Sequence, residues 1–178
     1  MALACAAGAA WAPPPPHYVP DPRLLSRVPS GVAYLHPGAG KIKNRWPVER
    51  FAEVAVALAR RGLEAHVLEG PQDAGTAAAL SARVGRELLV VRGEKVPMLA
   101  ARFARAAVYV GNDTGPLHLA GAVGCPTVGV YGWTDPDEWK PVGARVHAVR
   151  AADAKLESVT AAMVLEAVTP ALEEGVRV

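Results

Sequence analysis

This chain has no concentrated stripe of basic residues, no cysteine pattern and no long apolar run, and each absence removes a class of function. Lys and Arg number 19 against 17 Asp and Glu, a formal net charge of +2. Without a concentrated basic stripe or an aromatic ladder beside it, nucleic acid is not an expected partner. The two cysteines, Cys5 and Cys125, stand far apart and outside any CxxC or Cys/His ligand spacing, which fits a reducing, cytoplasmic compartment. No apolar stretch reaches the roughly 18 residues of a spanning helix, so a transmembrane segment is disfavoured. Residues 1–12 are apolar but no Lys or Arg precedes Arg23, so the basic start of a secretory signal is missing. No GxSxG elbow supports a serine hydrolase.

Composition sets a scale for what is present. With 178 residues, 51% hydrophobic and 20% charged, the chain can bury one sizeable core and is too short for two ordinary domains. Pro13 to Pro16 form a stiff extended spacer, and Pro20, Pro22 and Pro29 continue a segment expected to lack regular helix or strand. Beyond it, six β-rich runs, 32–36, 64–68, 88–91, 107–110, 127–131 and 146–149, are separated by helical patterns or short connections. The first helix, 47–61, sets Phe51, Val54, Ala55, Leu58 and Ala59 on one face and ends at Gly62. Others span 74–84, closing at Gly85, then 97–105 and 116–123, and Thr160 caps a last helix with a stripe of Val164, Leu165, Val168 and Leu172. This is an α/β pattern, a doubly wound, parallel, Rossmann-like sheet of about six strands. In the common order 3-2-1-4-5-6 the first and fourth strands are neighbours, so the loops 37–45 and 111–115 should face each other across a crevice.

Residues 111–136 are the most informative stretch, GNDTGPLHLAGAVGCPTVGVYGWTDP. Pro116 fits the first helical position, Gly124 and Pro126 close the helix, and the turn before it should aim free N–H groups from Thr114, Gly115 and Leu117 at an anion. Across the crevice, Gly38 and Gly40 could cradle a phosphate, with Lys41, Lys43 and Arg45 supplying positive charge for a departing pyrophosphate. Lys43 stands where a dinucleotide fingerprint needs its third glycine, and Gly40-Lys41 is followed by Ile42 rather than Ser or Thr, so neither an NAD loop nor a P-loop fits. Asp73, after the second strand, either accepts from ribose hydroxyls or caps a helix. Asp113 either faces a sugar hydroxyl or caps the helix beginning at Pro116, and His118 in its first turn can donate to a phosphate or sugar oxygen. Thr134 and Asp135, after the fifth strand, should reach the same crevice. Asp135-Pro136-Asp137 imitates an acidic metal-binding pair but reads as a loop, so no metal is expected. Cys125 reads as packing.

Three segments carry a resemblance. Asn112-Asp113-Thr114-Gly115-Pro116 with His118-Leu119-Ala120 and Thr134-Asp135-Pro136, then His36-Pro37-Gly38-Ala39-Gly40 with Trp46-Pro47, and Gly70-Pro71-Gln72-Asp73 resemble the signature of the heptosyltransferase family. These are bacterial enzymes that move heptose from an ADP-sugar onto lipopolysaccharide. The resemblance covers 31–178 and implies the second, donor-binding half of a two-domain GT-B glycosyltransferase. It implies a nucleoside diphosphate sugar held without metal or cofactor, and a general base from the other half. Residues 1–30 are then either the end of that half with its linker or a tail on a self-sufficient domain. Asn44 stands where relatives carry a lysine, and Trp133 where they often carry proline. The implied partners are the nucleotide sugar and a separately encoded acceptor-binding domain or a second copy of the chain, with membrane contact only through the acceptor. Two other readings stay open: half of a nucleotide-sugar epimerase or hydrolase, and a noncatalytic nucleotide-sugar sensor or partner subunit.

Overall fold

Each strand-forming run is too short and too apolar to stand alone, and each is followed by a segment that must recross the sheet before the next begins, so the strands pair in parallel. The computed structural model describes residues 18–175. Its strands are β1 (Ala33–His36), β2 (Ala65–Glu69), β3 (Leu89–Arg92), β4 (Val108–Asn112), β5 (Thr127–Tyr131) and β6 (Val146–Arg150), all in one sheet. All five pairings are parallel, in the order β3-β2-β1-β4-β5-β6. This is the order expected for a doubly wound sheet, with β1 and β4 adjacent where the winding reverses.

The pleat divides the core between two faces. Ala33 and Leu35 of β1 pack with Val108 and Val110 of β4 and with helices α2 (Val48–Arg60) and α7 (Ala161–Gly175), through Phe51, Val54, Leu58, Val164 and Val168. Tyr34 and Tyr109 point the other way, toward α4 (Val96–Ala104) and α5 (Gly115–Ala122). There Phe103 meets both tyrosines edge-on, with ring centroids 5.8 Å and 5.1 Å away. The buried stripe of α2 is Phe51, Ala52, Val54, Ala55 and Leu58. Ala59, expected on that face, is exposed in the last turn of the helix. Thr160 caps α7 as expected, accepting from the Met163 amide. Cys125 is buried, and burial pushes its thiol up to about 12, which suits packing.

Two local expectations are corrected. The proline-rich segment before β1 contains a helical turn, α1 (Pro22–Leu25), because Asp21 accepts from the Arg23 amide and Pro22 occupies the first position, where no N–H is needed. That segment is tied down by Val28, which is buried, and by the Gly31 amide donating to Arg105 O. The other concerns Asp135-Pro136-Asp137, which is not a plain loop but opens a short helix, α6 (Pro136–Trp139), capped by Asp135. Between β2 and β3 lies α3 (Thr76–Val84). The spacer Pro13 to Pro16, Cys5 and most of the 1–30 segment lie outside the described residues. Among the described residues, no helix is long and apolar enough to cross a membrane.

Phe103 joins α4 to the centre of the sheet, so Phe103→Ala should leave a cavity that the two tyrosines cannot fill. A loss of about 3–5 kcal/mol in unfolding free energy is expected from urea denaturation.

Candidate functional site

The carboxyl ends of β1, β2, β4 and β5 converge, and one wholly buried side chain organises them. Asn112 closes β4, and its Nδ2 donates to Pro37 O at 3.0 Å and to Gly38 O at 3.1 Å. Its Oδ1 accepts from the Trp46 amide at 2.9 Å. Trp46 is in turn fixed by its indole N–H on Val159 O at 2.9 Å and by an edge contact with Phe51. Loops 37–45 and 111–115 therefore face each other as expected, held by an amide whose nitrogen and oxygen are both engaged.

Above this tie, α5 begins with its N-terminus open. Thr114 occupies the cap position in extended backbone, yet no side chain caps the helix. Pro116 has no N–H to satisfy, and among the described residues no protein acceptor meets the Thr114 and Gly115 amides. These two amides, with the dipole of α5 behind them, are arranged as a helix start that can receive an anion. Leu117, expected to offer a third free amide, instead donates to Thr114 O at 3.0 Å, because the first turn closes on itself. Asp113 does not cap the helix either. Its carboxylate lies 3.6 Å from His118 Nε2, and the His118 side chain is about half exposed.

The basic loop divides its charges. Arg45 donates Nε to Ala39 O and Nη2 to Gln72 O, each at 2.9 Å, and so lashes the β1 loop to the β2 loop. Lys43 lies over the Trp133 ring, 4.5 Å from its centroid, and Lys41 is exposed. Asn44 accepts from the Trp133 indole N–H at 2.9 Å, so the β1 and β5 loops are bridged at the rim of the crevice. Asn44, Asp113, Trp133 and Thr134 line one small hollow there, which brings Thr134 to the crevice. Asp135 turns away to cap α6 and pair with Arg150 at 3.3 Å. Among the described residues no group of three His, Cys, Asp or Glu side chains is arranged to hold a metal.

Gly38 and Asp73 prove to be one feature. A Cβ on buried Gly38 would lie 1.4 Å from Asp73 Oδ2, so glycine is needed there to admit the carboxylate. Gly40 is exposed and meets only the flexible end of Gln72. Asp73 neither caps α3 nor opens to solvent: Oδ1 accepts from the Gly70 amide at 2.7 Å and Oδ2 lies 3.1 Å from His36 Nε2. The bond from His36 holds its carboxyl below the usual range despite burial. The α3 amides of Gly75 and Ala77 go to Glu69 instead. Burial opposes the Glu69 charge, but these amides and Arg92 outweigh it and hold the carboxyl low.

His36, Asn112 and Trp46 were not singled out from the sequence as site residues. Each stood inside a motif, but a polar residue ending an apolar strand was the only available signal for the first two. Beside His36 a hollow of about 160 Å³ is lined by Leu68, Val91, Leu99 and Pro116, with Glu69 and Glu94. A larger cleft along α2, lined by Glu49, Arg60, Arg83 and Leu165, lies away from the strand ends where open α/β sheets bind ligands.

Comparison with known proteins agrees with this geometry. The sequence profile of glycosyltransferase family 9 (heptosyltransferase) matches residues 20–168. Over 111 residues the chain is 30% identical to lipopolysaccharide heptosyltransferase 3 of Escherichia coli K12, covering 60% of this chain and 32% of that protein. Among solved structures, E. coli heptosyltransferase WaaC with ADP superposes with a TM-score of 0.74 at 26% identity, over 83% of this chain and 47% of that one. WaaC with ADP-2-deoxy-2-fluoro heptose gives 0.67 at 27% identity, over 85% and 46%. The chain thus corresponds to about a third of the curated relative and about half the length of these solved chains.

Asn112→Asp replaces the two-bond donor with a carboxylate facing two carbonyl oxygens. Stability should fall by about 3 kcal/mol or more. The loss should be smaller at acid pH, where a protonated side chain can donate once, and urea denaturation at two pH values measures both effects.

Proposed function

The chain belongs to glycosyltransferase family 9, the heptosyltransferases, and on that premise we propose that it binds a nucleoside diphosphate sugar between loops 37–45 and 111–115. The donor resembles ADP-heptose, and the sugar goes to a lipopolysaccharide or another glycan acceptor. The observation that carries this reading is the open start of α5, with the unmet Thr114 and Gly115 amides facing a basic loop across a crevice.

In this reading the pyrophosphate lies over Thr114 and Gly115, with Pro116 leaving the helix start clear. Lys41 and Lys43 approach from the opposite loop, and the backbone of Gly40 allows close passage. The nucleobase enters the hollow of Leu68, Val91, Leu99 and Pro116. His118, Asp113 and Thr134 face the sugar. Gly38, Arg45, Asp73 and Asp135 act at one remove, by holding the loops that carry these contacts. Charge accumulates on the pyrophosphate as the glycosidic bond breaks, and fixed amides and ammonium groups stabilise it more than they stabilise the bound donor. Deprotonation of the acceptor hydroxyl falls to a second surface, another domain or subunit, and in this reading the protein works in the cytoplasm.

Three outcomes follow from this arrangement. ADP should bind more tightly than adenosine in calorimetry, and Lys41→Ala or Lys43→Ala should weaken ADP by about 1.5–3 kcal/mol for the lysine that meets phosphate. Equal affinity for ADP and adenosine would rule out the site. Binding should be the same in chelator and in excess magnesium, because lysines and helix amides meet the phosphate charge; a strong magnesium requirement would promote Asp135 and Asp137 to ligands. The 178-residue chain alone should show no enzyme-rate transfer from ADP-heptose to a lipopolysaccharide-core acceptor. Orientation of the acceptor contributes up to about 7–11 kcal/mol, and this surface supplies only the leaving-group side. Turnover within seconds, without added protein, would defeat that division of labour.

A further inference from the structure

The sheet order places β4 between β1 and β5. Neighbouring strands lie about 4.8 Å apart, so β1 and β5 are separated by about 10 Å, and a contact between the loops that follow them spans the end of β4. Two side chains of the basic loop make that contact, and both meet Trp133. Lys43 Nζ stands 4.5 Å from the centroid of the Trp133 ring, and the indole N–H donates to Asn44 Oδ1 at 2.9 Å. Asp113, from the β4 loop, shares a hollow with Asn44, Trp133 and Thr134. The bridge therefore brings the Lys43 ammonium to the end of β4, the strand that leads to the unmet Thr114 and Gly115 amides. The roles within it are fixed by the groups themselves. An indole N–H can only donate, so Asn44 presents its oxygen, and an ammonium has donors alone.

The two sides of the bridge differ in how firmly they are held. The β5 loop is fixed at its base. Gly132 packs so closely on Leu156 that a Cβ would come within 2.9 Å of it, and its carbonyl accepts from Arg150 Nε at 2.9 Å. The tight helical turn Ile42–Asn44 has no side-chain cap, and Ile42 is 80% exposed. Among the described residues, Lys43 and Asn44 make no side-chain hydrogen bond or ion pair beyond those with Trp133. Trp133 is thus the anchor and the basic turn is what it holds. The other cations of the loop are not held this way. Lys41 is exposed and meets no carboxylate among the described residues, while Arg45 has two of its donors on backbone carbonyls.

We infer that Lys43 is the cation of this loop that meets the phosphate, and that Trp133, locked by Asn44, is the residue that positions it. The inference rests on the donor site read above and names which of its two lysines acts. A ring suits this task better than a carboxylate does. An acid beside Lys43 would cancel the charge that attracts a phosphate, whereas a neutral indole face fixes the ammonium and leaves its charge intact. Restricting a lysine before the anion arrives also reduces the rotamer freedom lost on binding. Trp133 itself touches no reacting atom and acts through Lys43.

The contact is tested first without ligand. An indole shields protons above its face, so one lysine of the free 178-residue chain should show side-chain CH₂ signals shifted upfield in ¹H–¹³C spectra. Those signals should vanish in Lys43→Ala and return to ordinary positions in Trp133→Leu. Ordinary positions for every lysine of the wild type overturn the inference, whatever the protein binds. Calorimetry with ADP then tests the role. Trp133→Leu replaces an exposed side chain and should weaken ADP about tenfold, the combined size of an exposed cation–π contact and one hydrogen bond. Trp133→Phe keeps a ring for Lys43 but loses the bond to Asn44, so it should fall between the wild type and Trp133→Leu. Lys43→Ala should weaken ADP more than Lys41→Ala does, and its cost should be about tenfold smaller in the Trp133→Leu background than in the wild type. An equal or larger cost in that background overturns the positioning role. If the wild type binds no ADP, the donor-site reading is wrong and the phosphate role falls with it, while the spectra still decide whether Trp133 holds Lys43.

Discussion

The side-chain amide of Asn112 gives both N–H groups to the backbone of the β1 loop and takes one back from Trp46. At zero exposure none of these bonds competes with water, so the cost of misplacing any one is the desolvation of a buried polar group. That cost keeps the two loops at the winding reversal in a single relative position. Trp46 then carries the constraint outward to Val159 before α7 and to Phe51 on α2. The crevice is thus rigid because it is an extension of the core.

A second layer of order comes from charge placed under the loops. Glu69 and Asp73 are both buried, and both answer amides of the β2 loop and the α3 start. Each also has its own side-chain partner, Arg92 for Glu69 and His36 for Asp73. Acidic side chains beneath an open helix start would ordinarily weaken its attraction for anions. Here they act as internal fasteners while the amides of α5 and the lysines face outward, so the sign of the surface differs from the sign of the layer below it.

The sheet order and the meeting of the two loops were legible from the chain because β-rich runs, helical stripes and glycine or proline stops all agreed. The open α5 start was also legible, from Thr114-Gly115-Pro116. The closure of the Leu117 amide on Thr114 O depended on the shape of one turn, which residue types do not determine. Arg45 was expected to meet a pyrophosphate and Asp73 to meet a ribose or cap a helix, but their orientation depended on neighbours distant in sequence. Ala39, Gln72 and His36 take up their hydrogen bonds, so both serve the scaffold. Asn44 was noticed only for the lysine it replaces. Its partner, Trp133, lies 89 positions away, and no local pattern pairs them.

That pairing has an optical consequence. Trp46 is sealed in the core, whereas Trp133 is 57% exposed and sits between the Asn44 amide and the Lys43 ammonium. An indole in such a setting emits according to the polarity and charge within a few ångströms of its ring, and both neighbours belong to the loop that borders the crevice. Any anion that draws Lys43 off the ring changes that environment. The chain therefore carries a built-in fluorophore at the mouth of its own cleft, one that reports on Lys43 without a label.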